Sequence, residues 1–86
     1  MEHFFINVGF GNVVNVNRIL SIADPDSAPA KRDMAKFRRL GRLRDYTRGR
    51  KTRALLYLDD GSAVQSIMLP ETLAIRFVGR AGNKDT

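Results

Sequence analysis

The chain has 86 residues, a formal charge of +6, and neither cysteine nor tryptophan. This length suffices for one small domain and is too short for two, and the lack of cysteine excludes disulfides and thiolate metal sites. No apolar stretch approaches the roughly 20 residues that span a bilayer, and the acid at position 2 does not suit a signal peptide. We therefore predict one cytoplasmic domain over residues 1–80, followed by a disordered tail over 81–86.

The N-terminal part of the chain predicts two extended segments joined by a glycine turn. Residues 4–8 are apolar enough for a buried strand, and the Gly-Phe-Gly-Asn stretch at 9–12 predicts a turn whose glycines take positive φ angles. Residues 13–23 alternate between apolar and polar side chains, which predicts a second strand. Arg18 falls on the apolar side of that alternation, which indicates either a bend or a cation held in a contact.

A basic helix is predicted next, over residues 28–40. It has an apolar stripe at helical spacing, and its other faces are rich in lysine and arginine. Asp26 or Ser27 can cap its start, Pro29 lies in the first turn where its missing N–H is harmless, and Gly41 suits the residue that ends a helix.

The remaining elements are three strands and a short helix. Residues 43–46 predict a short strand, while 52–58 and 62–69 predict a hairpin joined by Asp-Asp-Gly. Residues 71–78 predict a C-terminal helix. The whole pattern indicates a small α+β domain, built from antiparallel strands and hairpins with one basic helix and one short C-terminal helix.

The positive charge is concentrated in residues 31–53, the basic segment. It holds 11 of the 15 lysines and arginines with two acids, a charge of +9, whereas the rest of the chain carries −3. Arginine outnumbers lysine eight to three, and guanidinium groups suit bidentate contacts to phosphate or guanine. This excess predicts nucleic-acid binding. The candidate residues are Arg48, Arg50, Lys51 and Arg53 in Thr-Arg-Gly-Arg-Lys-Thr-Arg at 47–53, the basic turn, together with Lys31 and Arg32 in the helix.

Other binding functions remain open. An RNA-binding module is one alternative, although Tyr46 and Tyr57 are isolated and not grouped on one strand to stack bases. A non-enzymatic protein that binds acidic protein partners is another. Many small domains also carry surface lysine and arginine without using them.

The residues available for catalysis are few. His3 is the single histidine, so neither a His-based triad nor a His-rich metal site can be assembled within one chain. Asp59 and Asp60 precede a glycine between two strands, which is typical of a turn and not of a metal site. The sequence thus predicts a protein that is not an enzyme, with no catalytic residue, metal, cofactor or small-molecule substrate.

The order of motifs adds a family resemblance. The chain contains F-I-N-V-G-F-G-N at 5–12, N-R-I-L-S-I at 17–22, S-A-P-A-K-R at 27–32, T-R-G-R-K-T-R-A at 47–54 and L-P-E-T at 69–72. With this spacing it resembles the bacterial RemA family. The resemblance implies a DNA-binding transcriptional regulator of biofilm extracellular-matrix genes, with a fold similar to LytTR-type domains. It also implies homo-oligomeric rings that carry double-stranded DNA on their surface, with an octamer among the candidate sizes.

The resemblance also assigns roles to individual residues. The family's double-arginine turn falls on Arg50 and Lys51, which would contact phosphates; the lysine departs from the pattern, keeping the charge but losing bidentate geometry. Arg18 and Pro29 match positions in two other family motifs and would take part in subunit assembly. Leu69 stands where the family usually has glutamine.

Overall fold

A computed structural model describes the backbone of residues 4–82 and the side chains of residues 4–76. The described part has an α+β architecture, as the sequence predicts. Its elements in chain order are β1 (Phe5–Gly9), β2 (Asn12–Asn15), a 3-10 turn (Val16–Arg18), β3 (Ile19–Ala23), α1 (Ala28–Arg39), β4 (Leu43–Asp45), β5 (Ala54–Leu58), β6 (Ala63–Ser66) and α2 (Pro70–Gly82).

The strands form two sheets. β1 and β2 make an antiparallel hairpin, and the other four strands form a sheet in the order β3-β5-β6-β4. The predicted antiparallel pairing holds for β3 with β5 and for β5 with β6. It fails for β4, which runs parallel to β6. The reason is that the chain leaves β4, passes the end of β6 and returns as β5 on the other side, so the segment that joins β4 to β5 bridges over β6.

The 3-10 turn changes which residues face the core. The alternation predicted for residues 13–23 places Leu20 inside, but its side chain is 71% exposed. The 3-10 turn interrupts the period of two, and the pairing of β3 with β5 shifts register between Ile19 and Ser21. Ile19 therefore packs against the core in place of Leu20, while Ile22 packs there as the alternation predicts. The central core consists of small and medium aliphatic side chains from the hairpin, β5, β6 and α2, among them Val8, Leu56 and Leu73.

Helix α1 begins at the predicted residue and ends at Arg39, one residue before the predicted end. The Ser27 hydroxyl accepts a hydrogen bond from the N–H of Ala30, and Gly41 follows the helix with a φ of +71°. The apolar stripe packs on the sheet, where Phe37 meets Tyr57 edge to face with ring centroids 6.0 Å apart. Burial, and then a hydrogen bond donated to Asp33, raise the pKa of Tyr57 to about 12.

Helix α2 runs to Gly82, four residues beyond the predicted end at Val78. It therefore takes in the first two positions of the predicted tail, and the rest of that tail, residues 83–86, lies outside the described residues. Leu73 anchors the helix in the core, and an Arg76 Nη atom donates to the carbonyl oxygen of Asn7 at 3.0 Å. Neither helix within residues 4–82 is long and apolar enough to cross a membrane.

Candidate nucleic-acid interface

The basic turn is the bridge between β4 and β5, and both of its ends are fixed to β6. Just before the turn, the N–H of Tyr46 donates to the carbonyl oxygen of Gln65 at 3.1 Å. At its end, the N–H of Arg53 donates to the carbonyl oxygen of Ser66 at 2.8 Å. The Gln65 side chain also donates to the Thr52 hydroxyl at 2.9 Å. Because these contacts hold both ends, the cations between them project from a fixed backbone.

Thr47 anchors the start of the turn inside the protein. Its side chain is 2% exposed, and both its N–H and its hydroxyl donate to one carboxylate oxygen of Asp45, at 2.9 and 2.5 Å. The hydroxyl and then the N–H hydrogen bond hold the pKa of Asp45 below its usual range, and the nearby charge of Arg38 adds to the effect. The carboxylate thus serves as a local cap and stays ionised at neutral pH.

The backbone of the basic turn takes a left-handed conformation. The N–H of Arg50 donates to the carbonyl oxygen of Thr47 at 3.0 Å, and the two residues between them, Arg48 and Gly49, have φ angles of +52° and +80°. Two successive positive φ angles are those of a type I′ turn. Glycine accepts such an angle without cost, but an arginine does so rarely.

The tip of the β1–β2 hairpin has the same kind of turn. Phe10 and Gly11 have φ angles of +54° and +78°, and Gly9 before them has +122°. A Cβ atom at Gly9 would lie 2.7 Å from the Cγ1 atom of Ile67, so the glycine lets the hairpin approach the segment after β6. The fully buried Ser66 hydroxyl donates to the carbonyl oxygen of Val8 at 2.6 Å and ties the hairpin to β6.

These contacts bring the two left-handed turns together. The guanidinium carbon of Arg48 lies 4.6 Å from the centroid of the Phe10 ring, and that of Arg50 lies 5.7 Å from it. Both distances are within the range of cation–π interactions. The ring of one turn therefore contacts two cations of the other.

Three cations of the basic turn line an open depression of about 440 Å³. Arg50, Lys51 and Arg53 form its wall together with the side chain of Ile67. All three are exposed, as is Arg48. None of these four cations forms an ion pair with a carboxylate of the described residues, where the recorded pair is Arg18 with Asp59.

A second groove, of about 270 Å³, connects the basic turn with the start of α1. Lys51, Thr52 and Arg53 line one part of it, and residues 24–26, just before the helix, line another. The predicted site residues Lys31 and Arg32 are exposed on the first turns of α1. Three carboxylates, Asp24, Asp26 and Glu71, share this groove, so it is less positive than the depression beside it.

The predicted assembly residues lie on different elements. Arg18 ends the 3-10 turn, and one of its Nη atoms lies 3.2 and 3.3 Å from the two carboxylate oxygens of Asp59. Its position on the apolar side of the alternation therefore has a local explanation, since the 3-10 turn carries it to the end of β5. Pro29 is exposed in the first turn of α1.

Two residues of this region were not predicted from the sequence. Phe10 was assigned to a turn without a role, and Ser66 to the middle of a strand. A signal for Phe10 was present, because a bulky aromatic residue between two glycines occupies a turn position that normally favours asparagine or glycine. No sequence signal distinguishes Ser66, because its partner Val8 lies 58 positions away.

The fold and this region define a small α+β domain with a firmly anchored cationic turn. Within the described part of the chain, no group of three or more acidic or histidine side chains is placed to hold a metal ion. The family model of extracellular matrix regulatory protein A-like proteins, called RemA-like, matches residues 5–77. The chain belongs to the RemA-like family, as its motifs predict.

The chain is also similar along nearly its whole length to proteins of other bacteria. It is 45% identical to one from Acaryochloris marina over 86 residues, 100% of this chain and 98% of the relative. It is 50% identical to one from Carboxydothermus hydrogenoformans over 76 residues, 88% and 87% of the two chains. A Bacillus cytotoxicus relative is 49% identical over 72 residues, 84% and 83%. Each of the three has "Putative regulatory protein" in its name.

Proposed function

We propose that this protein is a DNA-binding transcriptional regulator, of the type that controls biofilm extracellular-matrix genes. It binds duplex DNA through the basic turn, which a homo-oligomer presents repeatedly, and it performs no catalysis. Membership of the RemA-like family and the relatives' names support a regulatory role. That the ligand is duplex DNA and that the protein forms a homo-oligomer are proposals that go beyond those names.

The observation that carries the proposal is the state of the four cations in the basic turn. They are exposed and free of ion pairs with described carboxylates, and the turn that holds them is fixed at both ends. Charge-assisted hydrogen bonds to phosphate are strong, and a fixed backbone lowers the entropy lost when they form. A surface that served solubility alone would not need an anchored turn.

Two features support assembly into a ring. A closed ring uses a heterologous interface, in which two different patches of each subunit meet. Arg18 and Pro29 lie on different elements, as the two halves of such an interface would. Leu20 is 71% exposed on β3, an edge strand, and exposed apolar groups on sheet edges favour association. Repetition then raises the affinity for long DNA through avidity.

The first experiment measures DNA affinity by fluorescence anisotropy on a long duplex. We expect Arg50→Ala and Lys51→Ala each to weaken binding by more than about twofold, because each removes a phosphate contact. The melting temperature and oligomer size should change little, since exposed cations contribute little to folding. Arg39→Ala in α1 is the matched control and should bind as the wild type does. A loss of twofold or less in both turn variants would contradict the proposal.

Salt dependence separates the duplex from the alternative ligands. Log affinity should fall linearly with log salt, by about 0.9 for each phosphate neutralised on duplex DNA. Several subunits that each use two or three cations should give a slope steeper than about −4. Single-stranded RNA and polyglutamate serve as competitors. Tighter binding of either one than of duplex DNA at the same salt would replace the proposal by the RNA-binding or acidic-partner function.

A second prediction concerns assembly. Arg18→Ala should lower the molar mass measured by light scattering, and DNA affinity should fall with it because avidity is lost. Arg18, Arg44 and Asp59 line one open surface groove. Arg44→Ala, which removes the other cation of that groove, is the control. An Arg18→Ala protein with the wild-type mass and affinity would show that this residue serves only its ion pair with Asp59.

A further inference from the structure

Two left-handed turns from distant parts of the sequence, the tip of the β1–β2 hairpin and the basic turn, are in contact. Each places a bulky residue first and a glycine second: Phe10 with Gly11 in the hairpin, and Arg48 with Gly49 in the basic turn. The two bulky residues are in contact, with the guanidinium carbon 4.6 Å from the ring centroid. Both bulky residues have positive φ angles, so each occupies a position where its own backbone is strained.

Turn formation alone does not account for this choice of residues. The first position of a type I′ turn favours asparagine, aspartate or glycine, and a bulky residue there costs about 1–3 kcal/mol of stability. The Phe10 ring is also only half-buried, so it returns less stability through burial than a core phenylalanine would. Strain retained at a pair of contacting side chains indicates that the pair has a use.

We propose that Phe10 is a positioning residue for DNA binding, whose ring holds the guanidinium groups of Arg48 and Arg50. The inference rests on the proposed function and adds to it a residue outside the basic segment. An aromatic ring contacts the face of a guanidinium, whose N–H donors lie in the plane and stay free for phosphate oxygens. Both side chains thus lose rotamer freedom before DNA arrives.

The geometry also explains why the hairpin is docked so firmly. The absence of a Cβ at Gly9 allows close approach to Ile67, which lines the same depression as Arg50. The buried hydrogen bond from Ser66 to the carbonyl oxygen of Val8 fixes the end of β1. Together these contacts fix the position of the Phe10 ring beside the basic turn, so the hairpin supports Arg48 and Arg50.

Four variants at position 10 test the proposal. Phe10→Tyr and Phe10→Trp keep an aromatic face and should bind duplex DNA within about twofold of the wild type. Phe10→Leu keeps the bulk and the strained backbone but removes the ring, and should lose about threefold to tenfold in affinity. Phe10→Gly removes the ring and relieves the strain, so its affinity should fall while its melting temperature stays equal or rises.

The glycine variant separates positioning from a purely structural role. If Phe10 served only to hold the fold together, Phe10→Gly would lower the melting temperature, and affinity would fall in proportion. A double-mutant cycle adds a second check, because Phe10→Leu should have little further effect once Arg48 and Arg50 are both alanine. Wild-type affinity in Phe10→Leu, or an equal loss in Phe10→Tyr, would overturn the proposal.

An NMR measurement without DNA keeps this inference distinct from the proposed function. In the wild type, the Nε–Hε groups of Arg48 and Arg50 should show higher order parameters than that of Arg39, and their side-chain protons should be shifted by the ring current. Phe10→Leu should remove both effects. Their absence from the wild type would overturn the positioning role even if DNA binds. Their presence in a protein that binds no DNA would refute the proposed function, and only the contact of the ring with the two guanidinium groups would stand.

Discussion

Helix α1 and the basic turn carry similar amounts of positive charge and hold it in different ways. The helix has five lysines and arginines over 12 residues, and the turn has four over seven. The helical cations lie on solvated faces, while those of the turn project from a doubly anchored backbone and two of them contact an aromatic ring. The two regions thus carry similar amounts of positive charge, and they differ in how firmly the structure orders it.

The cations within α1 also differ among themselves. Lys36, Arg38 and Arg39 lie in the last turn, where the partial negative charge of the helix dipole favours cations. Lys31 and Arg32 lie near the N-terminal end, where that dipole disfavours them, and the first turn holds no acid. Helix stability therefore explains the C-terminal group and does not explain the N-terminal pair. The N-terminal pair is also the one nearer along the chain to residues 24–26, which line the groove shared with the basic turn.

The largest effect is expected from breaking the support of the basic turn. Gly9→Ala should lower the free energy of unfolding by about 2–4 kcal/mol, because it adds a Cβ 2.7 Å from Ile67 at a φ of +122°. DNA affinity should fall as well, since the hairpin that carries Phe10 must move. Urea unfolding and anisotropy on the same variant measure both losses.

The matched control is Gly41→Ala, at the end of α1. Its φ is +71° and a Cβ there would meet nothing within 4 Å, so the loss should be about 1–2 kcal/mol from backbone strain alone. Its DNA affinity, measured where both proteins are folded, should match the wild type. Equal affinity losses in the two variants would show that the hairpin support has no special connection with DNA binding, and the contrast between the regions would disappear.

The elements were predictable because their signals are local. The cap at Ser27, the glycine after α1, the Asp-Asp-Gly turn and the β-branched, aromatic and aliphatic residues of β5 and β6 are each read from a few neighbouring residues. Leu20 was mispredicted because a three-residue 3-10 turn and a register shift between Ile19 and Ser21 interrupt the alternation, and no propensity in Val-Asn-Arg signals that turn. A local rule fails where the chain changes period without a glycine or a proline.

The candidate site was only half predictable, for a related reason. The cations could be identified from charge alone, because they are clustered in the sequence. Their support could not, since the contacts of Phe10 with Arg48 and of Ser66 with Val8 join residues about 40 and 58 positions apart. The parallel pairing of β4 with β6 puts the basic turn across the end of β6, and that pairing has no signature in a three-residue strand.

The smallest effect, and the sharpest test of the comparison, is expected within α1. There the change in the free energy of unfolding on removing a cation should have opposite signs at the two ends of the helix. Lys31→Ala and Arg32→Ala should each raise the free energy of unfolding by about 0.3–0.5 kcal/mol, because each removes a cation from the end of the helix where the dipole is positive. If the two side chains extend the DNA-binding surface, each should also make the salt slope shallower by about one per subunit in contact with DNA. Lys36→Ala and Arg39→Ala should lower the free energy of unfolding and leave the salt slope unchanged.

A salt slope that changes equally in all four variants would mean that α1 binds DNA along its whole length. The anchored turn would then be one part of a uniform basic surface, and the distinction between ordered and merely dense charge would no longer hold.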